Sequence, residues 1–324
     1  MRRRDVIAAL AGAAAWPMPA HVQSPTPVIG FLHVGSAAAL GHLTAALRHG
    51  LKQTGFDETG VSFLFRWADG QYDRLPELAV DLVRSQAAVI VTGGGEVPAR
   101  AAKAATASIP IVFNVGGDPV EMGLVASVSR PGGNVTGVNI LTTELAAKRL
   151  ALLHDLLPTD AVIAHLVNPN FPPSEANVRE VDAAARLLGR KIVVAAATNE
   201  GEIDAAFAAI SKVPAGAVLM AADPYFNSRR NQIVGLAARY SIPAGYEVRE
   251  YPEAGGLLSY GTSITESYRQ MGTYVGRILK GEKPSEIPVM QLPNLSLVIN
   301  LKTAKTLGLT IPPGLLARAD EVIE

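Results

Sequence analysis

Residues 109–137 read IPIVFNVGGDPVEMGLVASVSRPGGNVTG, and their order decides the fold. Ile111, Val112 and Phe113 make a short apolar run, partly β-branched and preceded by Pro110, which predicts a buried strand. The run breaks into Gly116, Gly117, Asp118 and Pro119, where glycine lets the backbone turn sharply and approach a bound molecule. Pro119 suits the first turn of a helix, because its missing N–H would have no partner there. A helix is therefore expected to follow and to stop before Pro131, Gly132, Gly133 and Asn134, with Val135, Thr136 and Gly137 opening a second strand. In open α/β sheets, loops at the carboxyl ends of strands are where ligands bind.

On the amino-terminal side, strands are expected at residues 28–32, 61–67 and 88–91. Between them Leu40, Leu43, Leu47 and Leu51 recur at helical spacing, as do Leu75, Leu78, Ala79, Leu82 and Val83, and residues 99–106 form a third helix. The alternation restarts after Asn139. Strands are expected at 162–167, 192–197, 217–220, 243–245 and 256–260, with helices at 175–188, 203–210 and 229–240. Ile264, Tyr268, Met271, Val275 and Ile278 stripe a further helix; residues 290–300 read as a last strand, followed by a short helix and a Pro312-Pro313 tail. Strands alternating with helices predict parallel sheets covered on both faces, and two such blocks predict an α/β protein of two Rossmann-like lobes with a cleft between them.

Composition narrows the function. At 324 residues the chain holds two ordinary domains. Its formal net charge of zero gives no electrostatic reason for a nucleic-acid partner. With no cysteine it has no disulfide, thiolate metal site, cysteine nucleophile or lipid-anchor cysteine. Arg2, Arg3 and Arg4 precede an apolar stretch at 6–15 and Trp16-Pro17-Met18-Pro19-Ala20, the order of an export signal of twin-arginine or Sec type. Residues 1–22 are expected to be that signal peptide, leaving a periplasmic mature chain two charges negative. Gly93-Gly94-Gly95 lacks the spacing of a dinucleotide fingerprint, and no phosphate-loop motif is present. The six histidines form no HExxH pair, His42 and His49 lie two helical turns apart, and Ser36 has no G-x-S-x-G frame. No catalysis, cofactor or metal is expected.

A set of short motifs runs through nearly the whole chain in order. They are residues 66–76 (RWADGQYDRLP), 109–113 (IPIVF), 117–120 (GDPV) and 130–134 (RPGGN), then 223–230 (DPYFNSRR), 253–256 (EAGG) with 259–261 (SYG), and 297–304 (LVINLKTA). In these the chain resembles the ABC-transporter substrate-binding protein family whose better-known members bind tryptophan, tyrosine or phenylalanine. The resemblance implies a type I periplasmic-binding-protein fold with three crossing segments and ligand held at the hinge. It also implies a monomer that delivers a small molecule, an aromatic amino acid or aromatic or amphoteric carboxylate, to an ABC permease in the inner membrane. A ligand sensor serving a membrane receptor would use the same fold. The lobes are then expected at 27–139 plus 261–285 and at 140–260 plus 286–324. Two positions depart from the family pattern: Glu96 stands where a small hydroxyl residue is common, and Glu247 where a proline is common.

Strand-end loops supply the candidate ligand contacts: Ser36, Gly94, Glu96 and Asp118 in the first lobe, with Trp67 beside them. In the second lobe they are Asn168, Asn170, Asp223, Tyr225, Tyr246, Glu247 and Tyr260. Ser36 suits a carboxylate near a helix start, or an N-cap. Glu96 and Asp118 suit a ligand ammonium, or a helix's first turn. The three tyrosines suit a flat or cationic ligand, or simple packing.

Overall fold

The computed structural model describes residues 26–324 except positions 58, 143–144, 159, 214–215 and 293–294; the expected signal peptide, 1–22, lies outside the described residues. The first lobe opens with β1 (Val28–His33), α1 (Gly41–Gln53), β2 (Ser62–Trp67), α2 (Leu75–Arg84), β3 (Val89–Gly93) and α3 (Glu96–Ala105). It continues through β4 (Ile111–Val115) and β5 (Val135–Asn139). The second lobe holds α4 (Ala146–Leu156), β6 (Ile163–Val167), α5 (Ser174–Leu187), β7 (Ile192–Ala196), α6 (Glu200–Ile210) and β8 (Ala217–Met220). After these come α7 (Pro224–Ser228), α8 (Arg230–Arg239), β9 (Ala244–Tyr246), α9 (Glu250–Glu253) and β10 (Leu258–Gly261). The chain then returns to the first lobe with α10 (Ile264–Leu279) and β11 (Met290–Gln291). It finishes on the second with β12 (Ser296–Asn300), α11 (Leu301–Thr306), α12 (Pro313–Leu316) and β13 (Glu321–Ile323).

The first sheet runs β2-β1-β3-β4-β5-β11 with every pairing parallel. The second runs β7-β6-β8-β9-β10-β12-β13, parallel except that β12 lies antiparallel to β10. Strand order reverses beside β1 in one sheet and beside β6 in the other, which opens a crevice at each strand-end edge. The chain passes between the lobes three times, after β5, after β10 and after β11.

Local sequence explains the supports. In α1, Leu43, Leu47 and Leu51 are buried, one per turn on one face. The Ser263 hydroxyl caps α10 by accepting the Glu266 N–H at 3.1 Å, and Ile264, Tyr268, Met271, Val275 and Ile278 bury the expected stripe. These two helices touch backbone to backbone. A Cβ on Gly50 would lie 1.7 Å from the Arg269 carbonyl oxygen, and one on Gly272 2.0 Å from that of Leu47.

Three local expectations change. No helix follows Pro119: Met122 and Leu124 donate back to the Asp118 and Pro119 carbonyls, and Gly123 at φ +67 turns the chain away after one turn. The segment that stands in its place packs on the α3 side of the sheet, Leu124 and Val125 joining Ile111, Phe113 and Val115, while α10 covers the opposite face. Residues 290–300 are not one strand but two in different sheets, so Met290 and Gln291 extend the first lobe rather than the second. The proline tail carries α12 and a parallel edge strand, β13.

Candidate functional site

A cavity of about 50 Å³ lies where the strand ends of the two lobes face each other. That exceeds the roughly 10–15 Å³ a single water needs. Its first-lobe wall is built from His33, Gly94, Gly95, Glu96, Asn114 and Gly116; its second-lobe wall from Phe171, Pro173, Asp223, Pro224, Asn227 and Glu247. Ile140, Thr142 and Ile264, at two of the crossings, form part of the lining.

The second wall is charged. Asp223 follows β8 and is 1 % exposed; Glu247 follows β9 and is 3 % exposed. Asp223 caps α7, its Oδ1 accepting the Phe226 N–H at 2.9 Å, with Pro224 at the first helical position. Its other oxygen, Oδ2, is buried with no hydrogen-bond partner in the protein. The Glu247 Oε1 accepts from the Asn227 carboxamide at 2.6 Å. Burial pushes the Asp223 carboxyl up to about 7, against the pull of the Phe226 and Tyr225 N–H groups and Asn168. Burial also pushes Glu247 up to about 7; Arg149 and Asn227 draw it down, and Asp223 raises it further. Arg149, on α4 and fully buried, donates to the Thr142 carbonyl at 3.0 Å.

The first wall is nearly neutral. The His33 Nδ1 accepts the Gly35 N–H at 2.7 Å, and burial pushes the imidazole down to about 3, so it stays uncharged. Gly94 and Gly95, at φ +86 and +87, bring the backbone to the start of α3 in a conformation that disfavours side chains. Asn114 is held by donating to the Ser267 hydroxyl of α10 at 2.8 Å. Glu96 is the one acid on this side among the described residues; partial burial raises its carboxyl and Arg100 opposes. Beneath this wall Phe31, His33, Trp67 and Tyr268 pack ring against ring, with Phe31 and Trp67 centroids 5.1 Å apart.

The walls meet at their rim. A Cβ on Gly70 would touch the Tyr225 ring at 3.2 Å, and one on Gly95 would lie 3.4 Å from Pro224. Tyr72 and Phe171 face each other with centroids 6.3 Å apart. Among the described residues no group of three or more His, Cys, Asp or Glu is arranged to hold a metal ion, and no helix is long and apolar enough to cross a membrane.

This two-lobed architecture has matches among known proteins. A family profile described as ABC transporter substrate binding protein fits residues 28–323. The chain belongs to the ABC transporter substrate-binding protein family. A conserved domain protein from Vibrio cholerae O1 biovar eltor str. N16961 is similar, with TM-score 0.79 and 28% identity over 92% of this chain and 99% of that one. So is an ABC domain in complex with L-Trp from Streptococcus pneumoniae, with TM-score 0.77 and 26% identity over 92% of this chain and 100% of that one. A curated relative, the tyrosine-binding protein of Clostridioides difficile (strain R20291), is 26% identical over 212 residues; the match spans 65% of this chain and 60% of that relative. The fold is that of the type I periplasmic binding proteins.

Within this substrate-binding fold the sequence-derived candidates fall into two groups. Gly94, Glu96, Asp223 and Glu247 line the cavity. The others are placed differently. Ser36 sits in the bend after β1, and α1 starts later, with Leu40 at its cap position. Asp118 is exposed, and its Oδ1 accepts the Val120 N–H at 2.7 Å. Asn168 is buried, closing its own turn by accepting the Asn170 N–H at 3.0 Å. Tyr225 covers Gly70 at the rim, with the Arg229 guanidinium 5.4 Å from its ring. Tyr246 stacks on Tyr251 at 4.3 Å in the core, and Tyr260 packs into the cluster behind β10. Sequence reasoning missed His33, Asn114, Phe171 and Asn227. Of these, His33 and Asn114 follow the strand-end rule; Phe171 and Asn227 lie in a loop and a short helix that pattern alone does not orient.

Proposed function

We propose that the chain is the periplasmic solute receptor of an ABC importer, closing its two lobes over a small amine-bearing molecule and presenting it, as a monomer, to an inner-membrane permease. Export would use the segment at residues 1–22. The observation that carries this reading is the cavity walled by both lobes, with buried Asp223 and Glu247 on one side and glycine-rich strand ends on the other. An ammonium placed there meets Asp223 Oδ2, the buried acceptor with no partner of its own. The relatives that bind L-Trp and tyrosine support an amino acid or a close derivative as ligand class.

Ligand that touches both walls stabilises the closed arrangement at the expense of the open one. The three short crossings are where the rotation would be absorbed. The test is a thermal-shift screen of mature protein unfolded and refolded to strip carried ligand. Ligand at about a hundred times its dissociation constant adds roughly 2.7 kcal/mol of stability. The expected result is a shift with an amine-bearing solute, together with a smaller radius of gyration in solution scattering. Shifts without any contraction would overturn the closure mechanism, and a screen silent across amino acids, amines, carboxylates and sugars would overturn the receptor reading.

A further inference from the structure

We infer that the cleft selects amines lacking a compensating carboxylate over zwitterionic amino acids, because among the described residues three carboxylates line it, one with an unpartnered buried oxygen, and no lysine or arginine does. The inference rests on the receptor reading above and specifies its ligand. The three are Glu96 from the first lobe and Asp223 and Glu247 from the second. Two of them have a cation acting on them. Arg149 acts on Glu247 from within the lobe, its guanidinium bonded to the Thr142 carbonyl, and Arg100 acts on Glu96 from the next turn of α3. Asp223 has no such cation. Its Oδ1 is used by the Phe226 N–H, and its Oδ2 has no hydrogen-bond partner in a residue that is 1 % exposed.

A ligand ammonium satisfies that oxygen. A ligand carboxylate then needs its own receptor, and the available one on the opposite wall is the positive end of α3, ten residues long and opened by Gly94 and Gly95. Glu96 stands at that end, so a second carboxylate arriving there is repelled by the first. A second cationic group on the ligand would instead be welcomed. The selectivity is thus a matter of what the amine carries at its other end: nothing charged, or another cation.

Matched pairs that differ by loss of the carboxylate test this directly: L-tryptophan against tryptamine, L-tyrosine against tyramine, and L-lysine against cadaverine. Calorimetric titration of refolded mature protein at pH 8 should show at least one amine binding tenfold or more tighter than its parent amino acid. Glu96→Gln, at a partly exposed helix start where folding is not at stake, should shrink that ratio at least threefold by improving the amino acid. Glu247→Gln should weaken the amine tenfold. The inference is overturned if each amino acid binds as well as its amine and Glu96→Gln leaves the ratios unchanged, although the receptor reading then stands. Silence from all six with a clear response to a sugar or a dicarboxylate likewise overturns the selectivity and keeps the receptor.

Discussion

On the first-lobe wall of the cleft the lining is mostly glycine backbone, an amide and a neutral imidazole; on the second it is two buried carboxylates backed by a buried guanidinium. The first wall gets its shape from close approach. A Cβ on Gly93 would lie 2.0 Å from the Tyr268 hydroxyl oxygen and 2.7 Å from the His33 ring. The second gets its character from charge held out of water, which is costly until a cation arrives. One wall should therefore fail when volume is added and the other when charge is removed.

The largest effect should come from Asp223→Asn. Asparagine caps a helix about as well as aspartate, so α7 keeps its start while the charge is lost. Affinity for the best-binding amine should drop about a hundredfold, ~2.7 kcal/mol, in calorimetry. A variant that binds undiminished would break the contrast between the walls. Gly93→Ala should instead act on folding, lowering stability by about 1–3 kcal/mol in urea titrations. Adding Tyr268→Phe to it, which removes the oxygen the new methyl meets, should recover part of the loss.

A third prediction separates the walls by pH. Asp223 and Glu247 sit near 7 in the folded chain against ordinary values of 3.8 and 4.5. The folded state therefore keeps protons that the unfolded chain has released. Their contribution to stability is complete below the ordinary values and is lost as pH rises through about 7. His33 and His165, lowered to about 3 and about 4 from 6.5, act oppositely: their contribution is complete above 6.5 and is lost on acidification. His42, also lowered, acts with these histidines; between pH 7 and 8 their contribution is nearly complete and the acids dominate the slope. Around them stand Arg149, Asn168, Tyr72, Tyr225 and Tyr251, with Glu96 and His33 across the cavity. The empty protein's urea midpoint should fall across that interval, and Asp223→Asn with Glu247→Gln should flatten it. An equal fall in the double variant would place the titration elsewhere. The smallest effect is expected at Asp118→Ala. It removes a turn contact worth roughly 0.5–1.5 kcal/mol and should leave amine affinity within about twofold.

The lobes and their strand-end loops were legible because alternation of apolar strands and striped helices has few other solutions. Side-chain direction was not. Tyr246 and Glu247 are neighbours at the end of β9, and successive side chains point to opposite faces; the tyrosine goes to the core and the glutamate to the cavity. A rule naming strand ends cannot choose between them. The aromatic wall expected from Tyr225, Tyr246 and Tyr260 had this origin. Arg149 was invisible for a related reason: it interrupts the stripe Ala146, Leu150 and Leu153, and only the fold brings it behind Glu247. The absent helix after Pro119 reflects Gly123, whose positive φ ends the turn and leaves Leu124 and Val125 to cover that face without a helix.

The return of α10 to α1 also sets an order in time. Arg269 bonds to Gln53 across 216 positions, and the two glycine contacts beside it are as remote. The first lobe, although begun first, cannot close its core until the chain has passed through the second and come back. Until then the face formed by β3, β4 and β5 has no cover, and contacts this distant form slowly. Refolding should show the second lobe's β6–β8 region protected from hydrogen exchange before β3–β5. Slow refolding leaves that apolar face exposed for longer.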